Sequence, residues 1–403
     1  MRLLHTSDWH LGKNLNGHSL IEDQKSFLNQ IQGQLHNARN EGKPYAALLV
    51  PGDIYDRSVP PEEATVLLSD FFSVIRDEFP ELHLFIIAGN HDSASRLSFA
   101  AELFKRQNIH IAGTTKDFTE PYILTQNVNG NVESAAVYQL PYLYPRSIDN
   151  STSPDEFLLH QQDLYSEACS RILKKHSENH AGVPSVICAH LFTLGSSPAG
   201  SERSNIGTAE QVGVEVFDGF TYGAFGHIHG FHVCDRAHRC FYSGAPLAYH
   251  VDDNPETFML DVEINGTDVP LVTKIPFIPL HPLVKLEGRL NDFLSMEKKW
   301  SAYKNHYVHI SLTDEVMVAN AHELLRPVFP FLISVKPKDR IFSGGKNSIK
   351  ERRRAVESKD IEVIFDQFIL DVNGKDDIDE ELLSAERKVL KELAAGMKWG
   401  ENL

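Results

Sequence analysis

Residues 1–12 read MRLLHTSDWHLG, a short apolar run with polar residues directly behind it. The run Leu3–His5 predicts a buried β-strand, and Asp8 and His10 follow where that strand ends. Residues two apart in an extended segment send their side chains to the same side, so this Asp-x-His pair can grip one cation. The opening of the chain therefore predicts a strand that ends in a candidate metal-binding turn.

Further segments with metal-ligand residue types come at the ends of other predicted strands. They are Gly52-Asp53 with Asp56, Gly89-Asn90-His91-Asp92, Ala189-His190, and Gly226-His227-Ile228-His229. Ligands of α/β sheets bind outside the carboxyl ends of the strands, so residues that are distant in sequence can converge on one crevice.

Together these segments offer more candidate ligands than one four- to six-coordinate ion needs. The candidates are the carboxylates of Asp8 and Asp53, the amide oxygen of Asn90, and the imidazoles of His10, His190, His227 and His229. Such a set suits two ions about 3.5–4 Å apart that share one carboxylate. Mixed nitrogen and oxygen donors without thiolate suit Mn²⁺, Fe²⁺ or Zn²⁺, and the hard oxygen donors favour manganese.

Composition indicates a folded protein of two or three domains, since 42% of the 403 residues are hydrophobic and 23% are charged. The net charge of −16 repels nucleic acid and anionic membranes at long range, so any contact with a polyanion must be local. The apolar runs fall far short of the roughly 20 residues that cross a bilayer. We expect a cytoplasmic protein without a membrane segment, because no secretory pattern precedes the first strand and only four cysteines are present.

Apolar runs and amphipathic stretches alternate over roughly the first 275 residues, which is typical of α/β folds. The predicted strands are Leu3–His5, Ala46–Val50, Leu82–Ala88, Ala135–Leu140, Ser185–Ala189 and Tyr222–Phe225. The predicted early helices are His18–Asn40 and the segment from Pro60-Pro61 to Phe79. Three prolines within Pro276–Pro282 suggest a domain boundary. We expect four regions: 1–278, a β-α-β-α-β domain at 279–337, a basic linker at 338–359, and amphipathic C-terminal helices at 360–403.

Three segments of the chain each leave two interpretations open. The wide apolar surface of the second helix fits a buried helix or, with the segment Arg96–Arg106, a contact between subunits. The basic linker is either a solvated connection or a contact for phosphates. The C-terminal helices either dock a partner or pack on their own chain.

The ordered set of D-x-H, GD-x-x-D, GNHD, a lone histidine and GH-x-H resembles the calcineurin-like metallophosphoesterase superfamily. Within it, the segments HTSDWHLG, GDIYD and GNHD, and GHIH with the later GAP turn Gly244–Pro246, resemble the SbcD family of nuclease subunits. The resemblance implies a metallophosphoesterase β-sandwich flanked by helices. It also implies that the small α+β domain at 279–337 is a capping domain and that the helices at 360–403 bind an ATPase.

The resemblance also implies a role for each site residue. Asp8, His10 and His229 would hold one metal, Asn90, His190 and His227 the other, and Asp53 would bridge the two. His91 would donate a proton to the leaving oxygen, and the Asp56 carboxylate would orient His91. The expected cofactors are two Mn²⁺ ions, with Mg²⁺, Fe²⁺ or Zn²⁺ as alternatives.

The activity that this resemblance implies is that of an Mn-dependent DNA nuclease subunit of an SbcCD-type complex. It would act as a double-strand exonuclease and single-strand endonuclease in DNA end processing, repair and recombination, with a two-metal-activated hydroxide attacking phosphorus in line. The implied partners are DNA, a second copy of the chain in a homodimer, and an SbcC-type coiled-coil ATPase. The alternatives are a phosphatase or small-molecule phosphodiesterase of the same superfamily, and a noncatalytic scaffold.

Two features are not assigned by the resemblance. Arg57 follows Asp56 as in the phosphate-gripping GD-x-x-DRG pattern of Ser/Thr phosphatases, and it is either a phosphate contact or a surface arginine. A His-x-Cys-x3-His-x-Cys pattern is either a structural zinc site or two strands of a hairpin whose side chains share a face. Its members are His232, Cys234, His238 and Cys240.

Overall fold

The structure is a computed structural model that describes residues 1–128, 130–149, 153, 157–194, 211–235, 237–295, 297–314, 318–338 and 387. The predicted basic linker and C-terminal helices lie outside these residues, apart from Lys338 and Arg387. Internal contacts divide the chain into one unit of residues 1–284 with 305–307, and a second unit of residues 285–304 with 308–403. Among the described residues, no helix combines the length and apolarity that a bilayer crossing requires.

The strands and helices are named in chain order. The strands are β1 (Arg2–His5), β2 (Asn14–Leu15), β3 (His18–Ser19), β4 (Ala47–Pro51), β5 (His83–Ile87), β6 (Ile109–Ala112), β7 (Tyr122–Val128), β8 (Asn131–Leu140), β9 (Ser185–His190), β10 (Phe192–Thr193), β11 (Gln211–Val212), β12 (Tyr222–Gly226), β13 (His232–Val233), β14 (Cys240–Tyr242), β15 (Phe258–Glu263), β16 (Leu271–Pro276), β17 (Leu283–Gly288), β18 (Tyr307–Leu312) and β19 (Leu332–Pro337). The α-helices are α1 (Ile21–Asn40), α2 (Glu62–Glu78), α3 (Ala94–Leu97), α4 (Ala101–Lys105), α5 (Gln161–Asn179), α6 (Leu290–Ser295), α7 (Glu297–Trp300) and α8 (Ala321–Leu325). Short 3-10 helices cover Val214–Phe217 and Ser301–Tyr303.

Two mixed sheets form the first unit. In the described part of the chain, one sheet has the order β16-β15-β1-β4-β5-β6 and the other the order β13-β14-β12-β9-β8-β7. Strands β1, β4, β5 and β6 run parallel, as do β8, β9, β12 and β14, while the outer strands pair antiparallel. The ends of the parallel strands therefore collect on one edge of each sheet.

A buried apolar layer lies between the inner faces of the sheets. Leu49 and Phe85 of the first sheet share this core with Val186 and Tyr222 of the second. The opposite face of the second sheet packs on α5, while α1 and α2 enclose Trp9, whose ring lies 6.1 Å from Phe27 and 5.5 Å from Phe71. The predicted α/β fold, a sandwich flanked by helices, is confirmed.

The second unit contains a small sheet with the order β17-β18-β19, in which β18 and β19 run parallel. Its core includes Phe293, whose ring centroid lies 4.8 Å from that of Trp300 and 5.9 Å from that of Phe329. Helices α6 and α8 alternate with the strands, and the function of this unit as a cap stays a prediction.

Asp23 on α1 is a buried carboxylate that holds a segment of the first unit far away in sequence. It accepts hydrogen bonds from the His281 backbone N–H at 3.1 Å and from the Tyr307 hydroxyl at 2.8 Å, and it lies 3.0 Å from the His281 ring nitrogen Nδ1. Asp23→Ala removes the buried carboxylate that accepts these hydrogen bonds, and we expect it to lower the free energy of unfolding by about 3 kcal/mol. Urea denaturation followed by circular dichroism measures the loss. Asp70→Ala, at an exposed position of α2, is the matched control, and equal stability of the two variants would contradict the prediction.

Candidate metal centre

The candidate ligands lie at the ends of parallel strands of both sheets, as the sequence predicts. The first sheet supplies Asp8 and His10 after β1, Asp53 after β4 and Asn90 after β5, and the second supplies His190 at the end of β9 and His227 and His229 after β12. The structure brings all of them into one cluster, although up to 219 residues separate contacting partners.

The backbone is strained where several of these side chains begin. Asp8, His10, Asp53 and His227 have φ angles of 53°, 43°, 50° and 103°, in a region that residues other than glycine rarely adopt. Such strain persists only where the surrounding structure imposes it, and it concentrates at functional sites. The fold therefore directs these side chains into the cluster, and the strained backbone is the conformational cost of that arrangement.

One group of donors consists of Asp8, His10 and His229, whose ligand atoms lie within 4.8 Å of one another. The Nε2 atoms of His10 and His229 are 3.0 Å apart. One oxygen of Asp8 accepts the His227 backbone N–H at 2.9 Å, and the other accepts the Ser7 hydroxyl at 2.6 Å. These bonds fix the carboxylate beside the two imidazoles.

A second group is built from Asn90, His190 and His227. The Asn90 amide oxygen lies 3.0 Å from His190 Nε2 and 2.9 Å from His227 Nδ1, and these two ring nitrogens are 3.3 Å apart. His190 Nδ1 donates to the Pro51 carbonyl at 2.9 Å, because that oxygen can only accept. When His190 loses its second proton, the neutral ring therefore carries its lone pair on Nε2, facing the other donors.

The Asp53 carboxylate lies between the two groups. Its Oδ2 is 3.7 Å from His10 Nε2 and 3.4 Å from His190 Nε2, and its Oδ1 accepts the His91 backbone N–H at 3.0 Å. One oxygen is thus held in place while the other faces both donor groups.

Two glycines make room for this packing. A Cβ at Gly89 would come within 2.1 Å of Asp53 Oδ1, and one at Gly52 within 2.2 Å of His190 Nδ1. Gly52 also has a φ of 92°. A side chain at either position would displace a candidate ligand.

The protonation states follow from burial and from neighbouring charges. Burial lowers the pKa of His10 well below its usual value and that of His227 and His229 to about 3, so these rings are neutral and can bind a cation. Burial and the Asp53 charge raise the pKa of Asp8 to about 8, against the charge of His190. Burial opposes the charged form of both Asp53 and His190, but their mutual attraction prevails: the pKa of Asp53 lies well below its usual range, and that of His190 rises to about 9.

These pKa values predict that cation uptake depends on pH. Near pH 7 both Asp8 and His190 hold a proton that a cation must displace, so binding releases about two protons. Affinity will rise by up to about tenfold per released proton per pH unit and level off above a pH of about 9. Calorimetry with Mn²⁺ in buffers of different ionisation enthalpy measures both quantities. Affinity that does not change with pH would contradict the assigned protonation states.

The chemistry of the donor set fits a divalent cation. Two carboxylates, an amide oxygen and four imidazoles face one another, with no thiolate among them. Their ligand atoms lie close together, as donors around a shared ion do. The site is therefore a candidate for two divalent ions, and the identity of the metal is a separate question.

His91 adjoins this cluster, and its contact with Asp56 differs from the expectation. The His91 Nδ1–H donates at 2.8 Å to the main-chain carbonyl of Asp56, whereas the Asp56 carboxylate binds Lys13 Nζ at 2.7 Å. The lysine engages the carboxylate, so the carbonyl takes its place as the hydrogen-bond acceptor. This contact leaves His91 Nε2 as the ring nitrogen that can exchange a proton with a substrate.

Asp92 has a role that the sequence reasoning missed. Its buried carboxylate accepts the backbone N–H groups of Ile54 at 3.1 Å, Tyr55 at 2.9 Å and Gly89 at 3.0 Å. Burial raises its pKa to about 6. It thereby ties the turn after β4 to the turn after β5. The carboxylate that follows directly after Gly-Asn-His was the available signal.

The remaining predicted features lie apart from the two donor groups. Arg57 is exposed, and its contact with phosphate stays a prediction. Strands β13 and β14 pair as an antiparallel hairpin, as expected for the histidine and cysteine pattern. Within the part of the chain that the structure describes, the side-chain clusters able to hold a metal do not include His232, Cys234, His238 or Cys240. Zinc binding at the hairpin is thus unsupported.

Comparison with known proteins agrees with this geometry. A model of the calcineurin-like phosphoesterase family matches residues 1–231, more than half of the chain. The chain is also similar to the SbcD subunit of the nuclease SbcCD of Staphylococcus epidermidis, with 28% identity over 340 residues that cover 83% of this chain and 85% of that protein. The match to the family covers strands β1 to β12 and every candidate ligand, and the predicted superfamily is confirmed. The chain belongs to the calcineurin-like phosphoesterase family.

Proposed function

We propose that this protein is the nuclease subunit of an SbcCD-type complex and hydrolyses DNA phosphodiester bonds with two divalent cations, Mn²⁺ in the first place. The observation that carries the proposal is the convergence of two donor groups on the Asp53 carboxylate, whose Oδ2 faces both. Similarity to the SbcD subunit of Staphylococcus epidermidis over 83% of the chain supports DNA as the substrate.

The two donor groups divide the ligand roles. Asp8, His10 and His229 would hold one cation, Asn90, His190 and His227 would hold the other, and the Asp53 carboxylate would serve both. When bound, the cations supply an activated water as the nucleophile and neutralise the charge that develops on the phosphate. Hydrolysis would add the hydroxyl of water to phosphorus, release the other water proton to solvent and break the ester bond, and His91 Nε2 would give a proton to the leaving oxygen. The Asp56 carbonyl keeps the His91 ring oriented for that transfer.

Phosphoester hydrolysis with DNA as the substrate is tested directly with the purified protein. With Mn²⁺, we expect cleavage of duplex ends and of single-stranded DNA, increased by an SbcC-type ATPase. Hydrolysis of small phosphoesters alone would favour a phosphatase or small-molecule phosphodiesterase. Uptake of two cations without any hydrolysis would favour a noncatalytic scaffold. Because the chain carries a net charge of −16, we expect weak DNA affinity without the partner.

The proposal includes an ATPase partner that binds the region 360–403. Deleting the residues after Arg354 should abolish copurification with the ATPase and spare metal-dependent cleavage by the isolated chain, since the candidate ligands all lie before residue 230. Pull-down with the ATPase and a nuclease assay measure the two effects. Undiminished copurification would refute the docking assignment.

The proposed homodimer uses the apolar surface of α2 and the segment Arg96–Arg106. Phe72 of α2 and Phe104 line a groove of about 630 Å³ there. Phe99 and Leu103 nearby are 79% and 62% exposed, more than large apolar side chains of a monomer need to be. Light scattering in solution measures the mass, and a monomer at micromolar concentration would contradict this contact.

A further inference from the structure

Lys13 is a charged side chain beside the metal centre to which neither the sequence nor the family resemblance gives a role. It follows the first ligand pair on the same turn, and its Nζ lies 2.7 Å from Asp56 Oδ1. Both side chains are largely buried, with 20% and 22% exposed. The ammonium also lies 5.5 Å from the ring centroid of Tyr249. An ion pair this enclosed is screened less than a surface pair and holds its geometry better.

This ion pair lies at the end of a set of backbone hydrogen bonds between two turns. The His10 N–H donates to the Asp53 carbonyl at 2.9 Å, and the Leu11 N–H donates to the Ile54 carbonyl at 2.8 Å. In the opposite direction, the Asp56 N–H donates to the Leu11 carbonyl at 3.2 Å. Asp56 is the last residue of the second turn in this series. The ion pair between the side chains of Asp56 and Lys13 joins the two turns at this end.

The same end of the turn positions the His91 ring. The Asp56 carbonyl accepts the His91 Nδ1–H at 2.8 Å. Asp92 holds the preceding residues of this turn through two backbone N–H groups, and Lys13 holds Asp56 through its carboxylate. The direction of the Asp56 carbonyl thus depends on the lysine, which does not itself touch His91 through a hydrogen bond in the described contacts.

We propose that Lys13 is a positioning residue for His91, acting through Asp56. This inference rests on the proposed function, in which His91 protonates the leaving oxygen. Without the lysine, the Asp56 carboxylate is released, its peptide group reorients and the His91 ring loses its fixed direction. Asp8, Asp53 and His190 are held by hydrogen bonds of their own and stay in place. His10 Nδ1 lies 3.8 Å from the same Asp56 oxygen, so cation binding must be measured beside activity.

Two substrates separate loss of His91 alignment from loss of the metal centre. A dinucleoside phosphodiester has a poor alkoxide leaving group that needs a proton, whereas p-nitrophenolate leaves bis(p-nitrophenyl) phosphate without one. We expect Lys13→Met to lower kcat on the dinucleoside by about 10-fold to 100-fold and on the nitrophenyl ester by less than about threefold, with KM unchanged. Lys13→Arg restores most of the rate. Lys175→Met, which removes another ion pair of the first unit, with Glu120, is the matched control.

A double variant tests the route through His91. Lys13→Met added to His91→Asn should lower kcat no further than His91→Asn alone, because the two residues act as one unit. Equal losses on both substrates with weakened Mn²⁺ binding would overturn the proposal in favour of a role at the metal centre. A raised KM with unchanged kcat would overturn it in favour of a phosphate contact.

A spectroscopic measurement tests the positioning role of Lys13 independently of activity. In protein with ¹⁵N-labelled histidine, the hydrogen-bonded Nδ1–H signal of His91 is assigned by its loss in His91→Asn. We expect Lys13→Met to shift or broaden that signal, and Lys175→Met to leave it unchanged. An unshifted signal would overturn the positioning role. If the wild type hydrolysed neither substrate, the proposed function would fail while this measurement still decided what Lys13 does.

Discussion

Replacing Asp53 with alanine will lower the rate of phosphodiester hydrolysis by at least about 10³-fold and prevent the uptake of two cations. The reason is the position of this carboxylate, whose Oδ2 lies 3.7 Å from His10 Nε2 and 3.4 Å from His190 Nε2. Without it, neither donor group is complete, and His190 loses the charge that raises its pKa to about 9. Metal analysis after dialysis against Mn²⁺ and a nuclease assay measure both effects.

Gly89→Ala tests the role of the Asp53 carboxylate without replacing any candidate ligand. Its Cβ would come within 2.1 Å of Asp53 Oδ1, so the carboxylate must move. We expect Gly89→Ala to lose hydrolysis and cation uptake to about the same extent as Asp53→Ala. Asp70→Ala on the exposed face of α2 should keep full activity. Two bound cations in Asp53→Ala would refute the bridging role.

Replacing His91 with asparagine will keep both cations and lower DNA hydrolysis by about 10²-fold to 10⁴-fold. The backbone N–H of residue 91, which donates to Asp53 Oδ1 at 3.0 Å, is unaffected. The asparagine amide can still donate to the Asp56 carbonyl, but it has no group that passes a proton to the leaving oxygen. Hydrolysis of bis(p-nitrophenyl) phosphate should fall far less, because its leaving group needs no proton.

Calorimetric titration with Mn²⁺ checks that the metal centre of this variant is intact. His36→Asn, on α1 with the ring Nε2 3.0 Å from Glu78 Oε2, is the matched control for an imidazole lost elsewhere. Loss of cations from His91→Asn would mean that His91 is a ligand and would remove the basis for its catalytic role.

The strands that carry the site were predictable because they are parallel and central. Such strands are buried on both faces and appear in the sequence as apolar runs, as Ala46–Val50 and Leu82–Ala88 do. Strands and helices with more exposed residues give a weaker apolar pattern in the sequence. Strand β8 begins at Asn131, four residues before the predicted start at Ala135, because its first four residues are mostly polar and at least partly exposed. Helix α5 was not predicted, since polar residues dominate its sequence and only one face is buried.

The sequence identified the candidate ligands as residue types. It did not identify which atoms form the hydrogen bonds that hold the residues of the site in place. Whether Asp56 engages His91 by its carboxylate or its carbonyl depends on where the Lys13 side chain lies, and the spacing of residues does not encode this. The three backbone bonds of Asp92 depend likewise on how two turns meet. Local pattern therefore predicts which residues gather, and tertiary structure decides which atoms touch.

The division of the ligands between two sheets has a consequence during protein synthesis. Asp8, His10, Asp53 and Asn90 leave the ribosome first, and 100 residues separate Asn90 from His190. At about 5–20 residues per second, the nascent chain spends roughly 5–20 s with most of its imidazoles still untranslated. A polypeptide that stalls in this interval cannot assemble the centre, so unfinished chains would lack the proposed activity.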